Sequence, residues 1–129
     1  MLELIATPGA PGAIGPYSQA VRAGDFVYVS GQLPLDPASG EQLTGALAPQ
    51  TRRVLRNLET IVQAAGGTLN DVVKTTVYMS NLARFAEMNE AYQECFGEHK
   101  PARAAVQVAR LPKDAGVEID AVVYLPRGN

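Results

Sequence analysis

The sequence predicts an α+β fold in which one mostly antiparallel sheet carries two helices on one of its faces. Two segments repeat apolar residues at three- and four-residue steps, the period of an amphipathic helix. Five shorter segments alternate apolar with polar residues, the period of a strand. Because a strand hairpin, a single strand and a final strand pair are separated by the helices, we expect a layered α+β sandwich.

Length and composition predict a single domain. The chain has 129 residues, of which 47% are hydrophobic, which suffices for one core and not for two, so the domain spans residues 1–129. Eleven basic and thirteen acidic residues give a net charge of −2. This balance argues against an extended phosphate-binding surface, and we do not expect nucleic acid as a partner.

The cysteine count and the N-terminus predict the compartment. Cys95 is the only cysteine, so no intrachain disulfide can form. Met1 is not followed by a basic segment and apolar run of signal-peptide type. No apolar run approaches the roughly 20 residues of a membrane span. We therefore expect a cytoplasmic protein that does not bind a membrane.

The first third of the chain predicts a hairpin behind a loop. After an apolar stretch at residues 2–6, residues 7–16 hold three prolines and three glycines, which is typical of a loop. Residues 18–23 and 26–31 flank Gly24-Asp25, a pair typical of a tight hairpin turn. A surface loop over residues 34–45 leads to the first helix.

The middle of the chain predicts helix, strand and helix. Residues 48–65 carry the first helical pattern, and Gly66-Gly67 stand where a C-terminal cap would lie. Residues 71–80 alternate as a strand, with Val73 on one face and Val72 on the other. Asn81 can cap the second helix, which ends before Gly97 and buries a stripe formed by Phe85, Met88, Tyr92, Cys95 and Phe96.

The last two strands each carry charge among apolar residues. Arg103 lies on the opposite side of its strand from Val106, and Glu118 and Asp120 lie opposite the strand face predicted to join the core. A forked cation and an acid in semi-apolar surroundings could form a pocket for a small carboxylate and a water molecule.

One face of the predicted sheet has no cover, because two helices can pack on only one side. Alternation sends five apolar or aromatic residues to that open face: Tyr28, Val72, Tyr78, Val122 and Tyr124. An exposed apolar face of this size usually marks an interface. We therefore expect a homo-oligomer that is sealed by sheet surfaces.

Seven blocks covering nearly the whole chain resemble, in this order, the Rid family of reactive-imine deaminases, also called YjgF, and most closely its RidA subgroup: IGPYSQAV, VSGQLP, QTRRVLRNLETIVQAAG, VVKTTVYMSNL, MNEAYQECF, PARAAV and ARLPKDAGVEIDAV. The resemblance implies a chorismate-mutase-like α+β fold and a homotrimer with ligand clefts between neighbouring subunits. It also implies hydrolysis of 2-imino acids, or of their 2-aminoacrylate-type enamine tautomers, to 2-keto acids and ammonia without a cofactor.

The same resemblance assigns roles to residues. It makes Arg103 and Glu118 catalytic, and it places Arg103, Tyr17, Ser30, Gly31 and Asn89 around the substrate. Arg103 can hold a carboxylate by two parallel hydrogen bonds. Glu118 can take a proton from the attacking water and pass one to the departing nitrogen. Ala105 departs from close relatives, which often have cysteine there, so this protein cannot use thiol chemistry at that position.

Each of these residues also has a purely structural interpretation. Arg103 could form a surface or interface salt bridge, and Glu118 could lie on the solvated side of its strand. Asp120 could be a rival base or a neighbour that raises the affinity of Glu118 for protons. Tyr17 could pack its ring at the end of the Pro-rich loop, Ser30 could finish a strand, and Asn89 could tie its helix to a loop.

Other site types have little support in the sequence. Ser30 has no partner base, because the only histidine, His99, lies in a polar stretch, and we expect no metal site. The basic cluster early in the first helix is best explained as a solvated helix face and consists of Arg52, Arg53 and Arg56. Two alternative functions stay open: an endoribonuclease or translation inhibitor, which the family has also been described as, and a non-catalytic module that binds small ligands.

Overall fold

The computed structural model of the protein describes residues 1–127 and confirms the α+β architecture. Its strands are β1 (Leu2–Ile5), β2 (Ala20–Ala23), β3 (Phe26–Gln32), β4 (Val72–Met79), β5 (Ala102–Gln107) and β6 (Val117–Tyr124). The helices are α1 (Leu47–Ala64) and α2 (Phe85–Phe96). Within the described residues, no helix has the length and apolar character needed to cross a bilayer.

The strands form one sheet in the order β1-β2-β3-β6-β4-β5. Only β4 and β5 pair in parallel, with α2 as their crossover, and the other pairings described are antiparallel. Gly24 takes a φ of +62° in the turn between β2 and β3, as the hairpin prediction requires. The apolar stretch at the N-terminus is an edge strand, which its length alone did not indicate.

Both helices lie on one face of the sheet, and the core lies between them and that face. The apolar stripe of α1 contacts β3 and β6, and α1 also packs along α2. Side chains from all of these elements are fully buried: Val27, Val54, Leu58, Ile61, Val77, Met88, Ile119 and Val123. Removal of this apolar area from water is the main term that stabilises the fold.

The ends of the helices are secured by different residues. Ala46, before α1, makes no side-chain cap, and Glu87 of α2 accepts a 2.7 Å hydrogen bond from the Leu47 N–H instead. This bond, together with the Arg84 guanidinium, holds the pKa of Glu87 below its usual value. Asn81 caps the 3-10 turn Leu82–Arg84 that leads into α2, so the predicted cap residue is right and α2 itself begins one turn later than the sequence predicted.

One expectation for β4 is wrong at its first residues. Val72 pairs with Val123 and Lys74 pairs with Val122, so Val73 is the extra residue of a β-bulge. The bulge reverses the alternation before Lys74. Val72 is therefore fully buried in the core, whereas Val73 is 41% exposed. A strict period of two cannot predict an inserted residue.

The open face of the sheet carries the other four residues that the sequence sent there. Tyr28 and Tyr124 are about half exposed, and Tyr78 and Val122 are half-buried. Phe26 adds its ring to this face beside Tyr124, with ring centroids 5.3 Å apart. The face is thus apolar and aromatic, as an oligomer interface requires.

The bulge in β4 predicts unequal effects for two neighbouring valines. Val72→Ala should lower the free energy of unfolding by about 2 kcal/mol, because it removes buried methyl groups and leaves a cavity. Val73→Ala should lower it by less than about 0.5 kcal/mol. Urea denaturation at one fixed protein concentration measures both, and a larger loss for Val73→Ala would contradict the observed register.

Candidate active site

Arg103 lies on α2's side of the sheet, on a platform of two aromatic rings. Its register partner on β4 is Thr75, which is fully buried and hydrogen-bonded to the Tyr92 hydroxyl at 2.7 Å. The Arg103 guanidinium carbon is 4.8 Å from the Tyr92 ring centroid and 5.3 Å from that of Phe85. These cation–π contacts orient the guanidinium plane without neutralising its charge.

Asn89 holds the guanidinium from the side. Its Oδ1 accepts a 2.7 Å hydrogen bond from Nη1 of Arg103, so Asn89 ties α2 to β5 and positions the arginine. Among residues 1–127, no carboxylate forms a salt bridge with Arg103. The surface salt-bridge interpretation therefore does not describe Arg103, whose remaining N–H donors are available to an anion.

The neighbourhood of Arg103 is an open groove of about 440 Å³. Tyr92 and Phe96 supply apolar walls, and Lys100 and His99 also line it beside Arg103. Among the described residues, none that lines the groove is acidic. The groove therefore offers an apolar surface beside the positive charges of Arg103 and Lys100, which suits a small organic anion.

The structure shows which face of β5 is covered by α2, and the valine of this strand does not lie on that face. Arg103 and Val106 do lie on opposite faces, as predicted. However, the Arg103 face is the one that α2 covers, and Val106 is 41% exposed on the open face. Ala105 follows Arg103 toward the helices and packs against the core. An edge strand that is half covered by one short helix does not obey the rule that valines point inward.

Glu118 lies on the open face, opposite Tyr78 in the register of β4 and β6. Gly31 of β3 makes room for it. A Cβ at residue 31 would lie 2.8 Å from Cδ of Glu118, closer than real Cβ contacts, so only glycine leaves the carboxylate in place. Glycine is thus needed at residue 31 to accommodate the Glu118 side chain, whereas the family resemblance placed Gly31 around the substrate.

The environment of Glu118 favours its protonated form. Partial burial raises the pKa of Glu118, and the nearby charge of Asp120 raises it further. Asp120 itself accepts a 3.0 Å hydrogen bond from the Tyr78 hydroxyl. A carboxyl group whose pKa is raised toward neutrality is suited to exchanging protons with a substrate.

Tyr17 and Ser30 lie around Gly31, the residue that makes room for Glu118. Tyr17 is 55% exposed and lines a groove of about 420 Å³ together with Gly31. Ser30 precedes Gly31 within β3, and its hydroxyl donates a 2.6 Å hydrogen bond to the carbonyl of Ser18. Ser30 therefore does not finish its strand but ties it to the segment that follows the Pro-rich loop.

The structure does not bring Arg103 and Glu118 together within one copy of the chain. Thr75 is the partner of Arg103, and Tyr78 is the partner of Glu118. These two β4 residues are three apart with no bulge between them, so they point to opposite faces. The predicted site residues form two half-sites: Arg103 with Asn89 on the helix side, and Glu118 with Gly31 on the other. Tyr17 joins the second half-site through the groove that it shares with Gly31, and Ser30 through its place next to Gly31 in β3.

Sequence reasoning missed several residues that build these half-sites. Gln19 is 4% exposed, and its amide bonds the backbone of Thr7, Ala10 and Pro11, which orders the Pro-rich loop. The only sequence signal for Gln19 is that a polar side chain stands directly before a strand. The sequence predicts only a core position for Tyr92. Lys113 and Asp114, with φ of 58° and 54°, form a strained turn next to the Gly31 groove that no sequence pattern indicated.

The described part of the chain contains no group of three His, Cys, Asp or Glu residues that could hold a metal ion.

Comparisons with known proteins identify the family. The family model described as Endoribonuclease L-PSP matches residues 7–125. A RutC family protein of Pyrococcus horikoshii is 55% identical over 96% of this chain and 98% of its own. Human 2-iminobutanoate/2-iminopropanoate deaminase is 47% identical over 93% of this chain and 88% of its own.

Among solved structures, Escherichia coli TdcF with bound serine superposes with a TM-score of 0.91. It is 45% identical, and the match covers 98% of this chain and 99% of that one. The matched family and the relatives agree with the resemblance found in the sequence blocks. This chain therefore belongs to the endoribonuclease L-PSP family, which is the Rid family.

Proposed function

We propose that this protein is a 2-iminobutanoate/2-iminopropanoate deaminase, which hydrolyses reactive imine and enamine intermediates to 2-keto acids and ammonia. The observation that carries the proposal is the pair of half-sites: a guanidinium fixed on two rings without a counter-ion, and a half-buried glutamate with a raised pKa. The human relative of that name, and the family membership, support the same activity.

The proposal requires two copies of the chain to complete one site. Arg103 and Glu118 lie on opposite faces of one sheet, so a cleft that contains both must take one from each of two neighbouring copies. The apolar open face supplies a surface on which copies can pack. A closed ring of three copies, as the family resemblance implies, would make three equivalent clefts.

Arg103 would bind the carboxylate of the imino acid. Its fork can donate two parallel hydrogen bonds to the two carboxylate oxygens, and Asn89 and the rings of Phe85 and Tyr92 keep it from turning away. A pre-oriented guanidinium loses little freedom on binding. The substrate carbon next to the carboxylate then has a defined position in the cleft.

Glu118 would move the protons. In the first step, its carboxylate takes a proton from water while the water oxygen bonds to the carbon of the protonated imine, and the C=N electron pair goes to nitrogen. The product is a neutral carbinolamine. In the second step, the Glu118 carboxyl gives its proton to nitrogen, and the C–N bond breaks as the hydroxyl oxygen forms the C=O bond and returns its proton to the Glu118 carboxylate. The keto acid leaves, and ammonia takes that proton away as ammonium, which restores the carboxylate.

The remaining residues would shape the cleft. The Tyr17 hydroxyl and the Ser30 oxygen can accept or donate hydrogen bonds to the attacking water or the departing nitrogen. Gly31 keeps the Glu118 carboxylate in its place. Ala105, on the same face as Arg103, has no thiol, and the steps above need none.

Two other activities serve as alternatives in the test. The matched family bears the name endoribonuclease, so RNA cleavage is measured beside imine hydrolysis. The net charge of −2 weighs against RNA as a partner. The TdcF structure with bound serine supports binding of a small amino-acid-like ligand, and binding without turnover would indicate a non-catalytic module.

The split site predicts that two inactive variants restore activity together. An amino-acid dehydratase generates 2-iminobutanoate, and imine loss is followed with and without the protein. Arg103→Ala and Glu118→Gln should each lower kcat/KM by about a hundredfold or more. The two variants, refolded together as a one-to-one mixture, should regain about a quarter of wild-type activity. The reason is that an intact cleft needs an unmodified Arg103 from one copy and an unmodified Glu118 from its neighbour.

The controls for this experiment separate the possible failures. Glu59→Gln, on the helix side of the sheet, should retain full activity. No acceleration of imine loss by the wild-type protein would contradict the deaminase proposal. Loss of activity in both single variants, with none regained on mixing, would contradict the shared cleft. RNA cleavage that is abolished by the same substitutions would favour the endoribonuclease alternative.

The open face predicts a sharp effect on assembly. Val106→Asp places a charge on the open face at β5, so sedimentation at micromolar concentration should find monomer, whereas we expect a trimer for the wild-type chain. Leu43→Asp is the matched control, because both side chains are 41% exposed and Leu43 lies beside α1, away from this face. A wild-type monomer, or equal effects of both variants, would rule out the proposed interface.

Gly31 offers a test of the carboxylate position. Gly31→Ala should displace the Glu118 carboxyl and lower kcat by about tenfold or more, with thermal unfolding nearly unchanged, since the side chain that must move is at a partly open surface. Gly12→Ala, where a Cβ would meet nothing, should leave both properties unchanged. Equal kcat values for the Gly31 variant and the wild type would contradict the role given to Glu118.

A further inference from the structure

Glu118 belongs to a cluster of ionisable side chains on the open face. Asp120 is two residues along β6, so both carboxylates leave the same face of the strand. Tyr78 lies opposite Glu118 in the register, and its hydroxyl donates a 3.0 Å hydrogen bond to Oδ2 of Asp120. All three side chains are half-buried, so their charges interact through less solvent than those of fully exposed groups.

We propose that Asp120, held by the Tyr78 hydroxyl, is a positioning residue that keeps a second negative charge beside Glu118 and thereby strengthens the hold of Glu118 on its proton. The inference rests on the proposed function, because it concerns the residue that is the proton carrier in that mechanism. It extends that function by naming two further residues, Asp120 and Tyr78, which contact neither the substrate nor the attacking water in the proposed mechanism.

The physical reason lies in the two tasks of Glu118. A carboxyl group that takes a proton from water and returns one to nitrogen works best when its proton affinity is near the working pH. An unperturbed glutamate, with a pKa of about 4.3, is a weak base for this purpose. Burial contributes most to the raised pKa of Glu118, and the Asp120 charge adds to it. The like charge of Asp120 and the burial of Glu118 therefore both raise the pKa of Glu118.

Tyr78 gives the arrangement its geometry. Burial, the hydrogen bond to Asp120 and the charges of both carboxylates raise the pKa of Tyr78, so its phenol stays protonated and remains a donor. The bond holds the Asp120 carboxylate against the strand, where a free aspartate could rotate toward solvent. The second charge therefore stays at a constant distance from Glu118.

Other groups face Glu118 without supplying the same effect. On the open face β5 presents only Ala104 and Val106 beside it, according to the strand register. The remaining ionisable side chains toward this face or at the nearby groove are three phenols, two lysines and one carboxylate: Tyr17, Tyr28, Tyr124, Lys74, Lys113 and Asp36. Of the carboxylates among residues 1–127, the charge of Asp120 is the one that acts on Glu118. In the proposed shared cleft, Arg103 of the partner subunit would act in the opposite direction, and its effect is the same in every variant compared below.

The experiment measures the titration of Glu118 directly in the full-length protein without substrate. Carbon-13 NMR follows the labelled glutamate carboxyl carbons, and the spectrum of Glu118→Gln identifies the Glu118 signal. Asp120→Asn should move the midpoint of Glu118 to lower pH by about one unit. An amide oxygen at this position can still accept the Tyr78 hydrogen bond, so the substitution removes charge and keeps the contact.

Two further variants separate charge from structure. Tyr78→Phe releases Asp120 and should shift the midpoint in the same direction by a smaller amount. Glu59→Gln removes the same charge from α1 on the other side of the sheet and should not shift it. Unchanged midpoints in both Asp120→Asn and Tyr78→Phe, or an equal shift in Glu59→Gln, would overturn the proposal.

The pH dependence of imine hydrolysis distinguishes this proposal from the proposed function. If Glu118 is the base, the acid limb of the kcat profile should move to lower pH with the NMR midpoint in Asp120→Asn. A shifted midpoint with an unmoved acid limb would support the coupling of the two carboxylates and contradict Glu118 as the base. A shifted midpoint with no hydrolysis at any pH would contradict the deaminase activity alone.

Discussion

The alternation of β4 decides on which face of the sheet Arg103 and Glu118 lie. β4 pairs with β5 on one side and with β6 on the other, so its register assigns a face to both neighbours. Thr75 directs Arg103 toward the helices, and Tyr78 directs Glu118 to the open face. A shift of one residue in either pairing would move a charge to the wrong side of the sheet. The division into two half-sites depends on this constraint.

Each half-site is stabilised by groups that also build the fold. The rings under Arg103 belong to the stripe of α2 that closes the core, and Thr75 bonds one of them from within the sheet. The carboxylate of Glu118 occupies the space that Gly31 leaves on β3. Few of the interactions that position Arg103 and Glu118 therefore serve the half-sites alone. The exceptions are the unpaired charge of Arg103 and the raised pKa of Glu118, which contribute nothing evident to stability.

The fold followed from periodicity wherever a segment was long and its pattern unbroken. The apolar steps of residues 48–65 predicted α1 to within one residue at each end, and Gly24-Asp25 located the hairpin turn. The prediction failed at Val72, where an inserted residue reversed the alternation, and at Val106, where an edge strand exposes its valine. The two failures have different causes. At Val72 an inserted residue breaks the period of two, whereas at Val106 the period shows which residues share a face and the neighbouring elements decide which face is covered.

The sequence by itself determined the class of the fold, the family and the identity of the residues with unusual chemistry, because local periodicity and motif blocks are properties of the chain alone. The tertiary structure decided how those residues are grouped. Asn89, Phe85 and Tyr92 gather around Arg103, and Gly31, Asp120 and Tyr78 gather around Glu118, through pairings between segments far apart in sequence. Register and packing between distant strands fix such neighbours, and no local pattern encodes them.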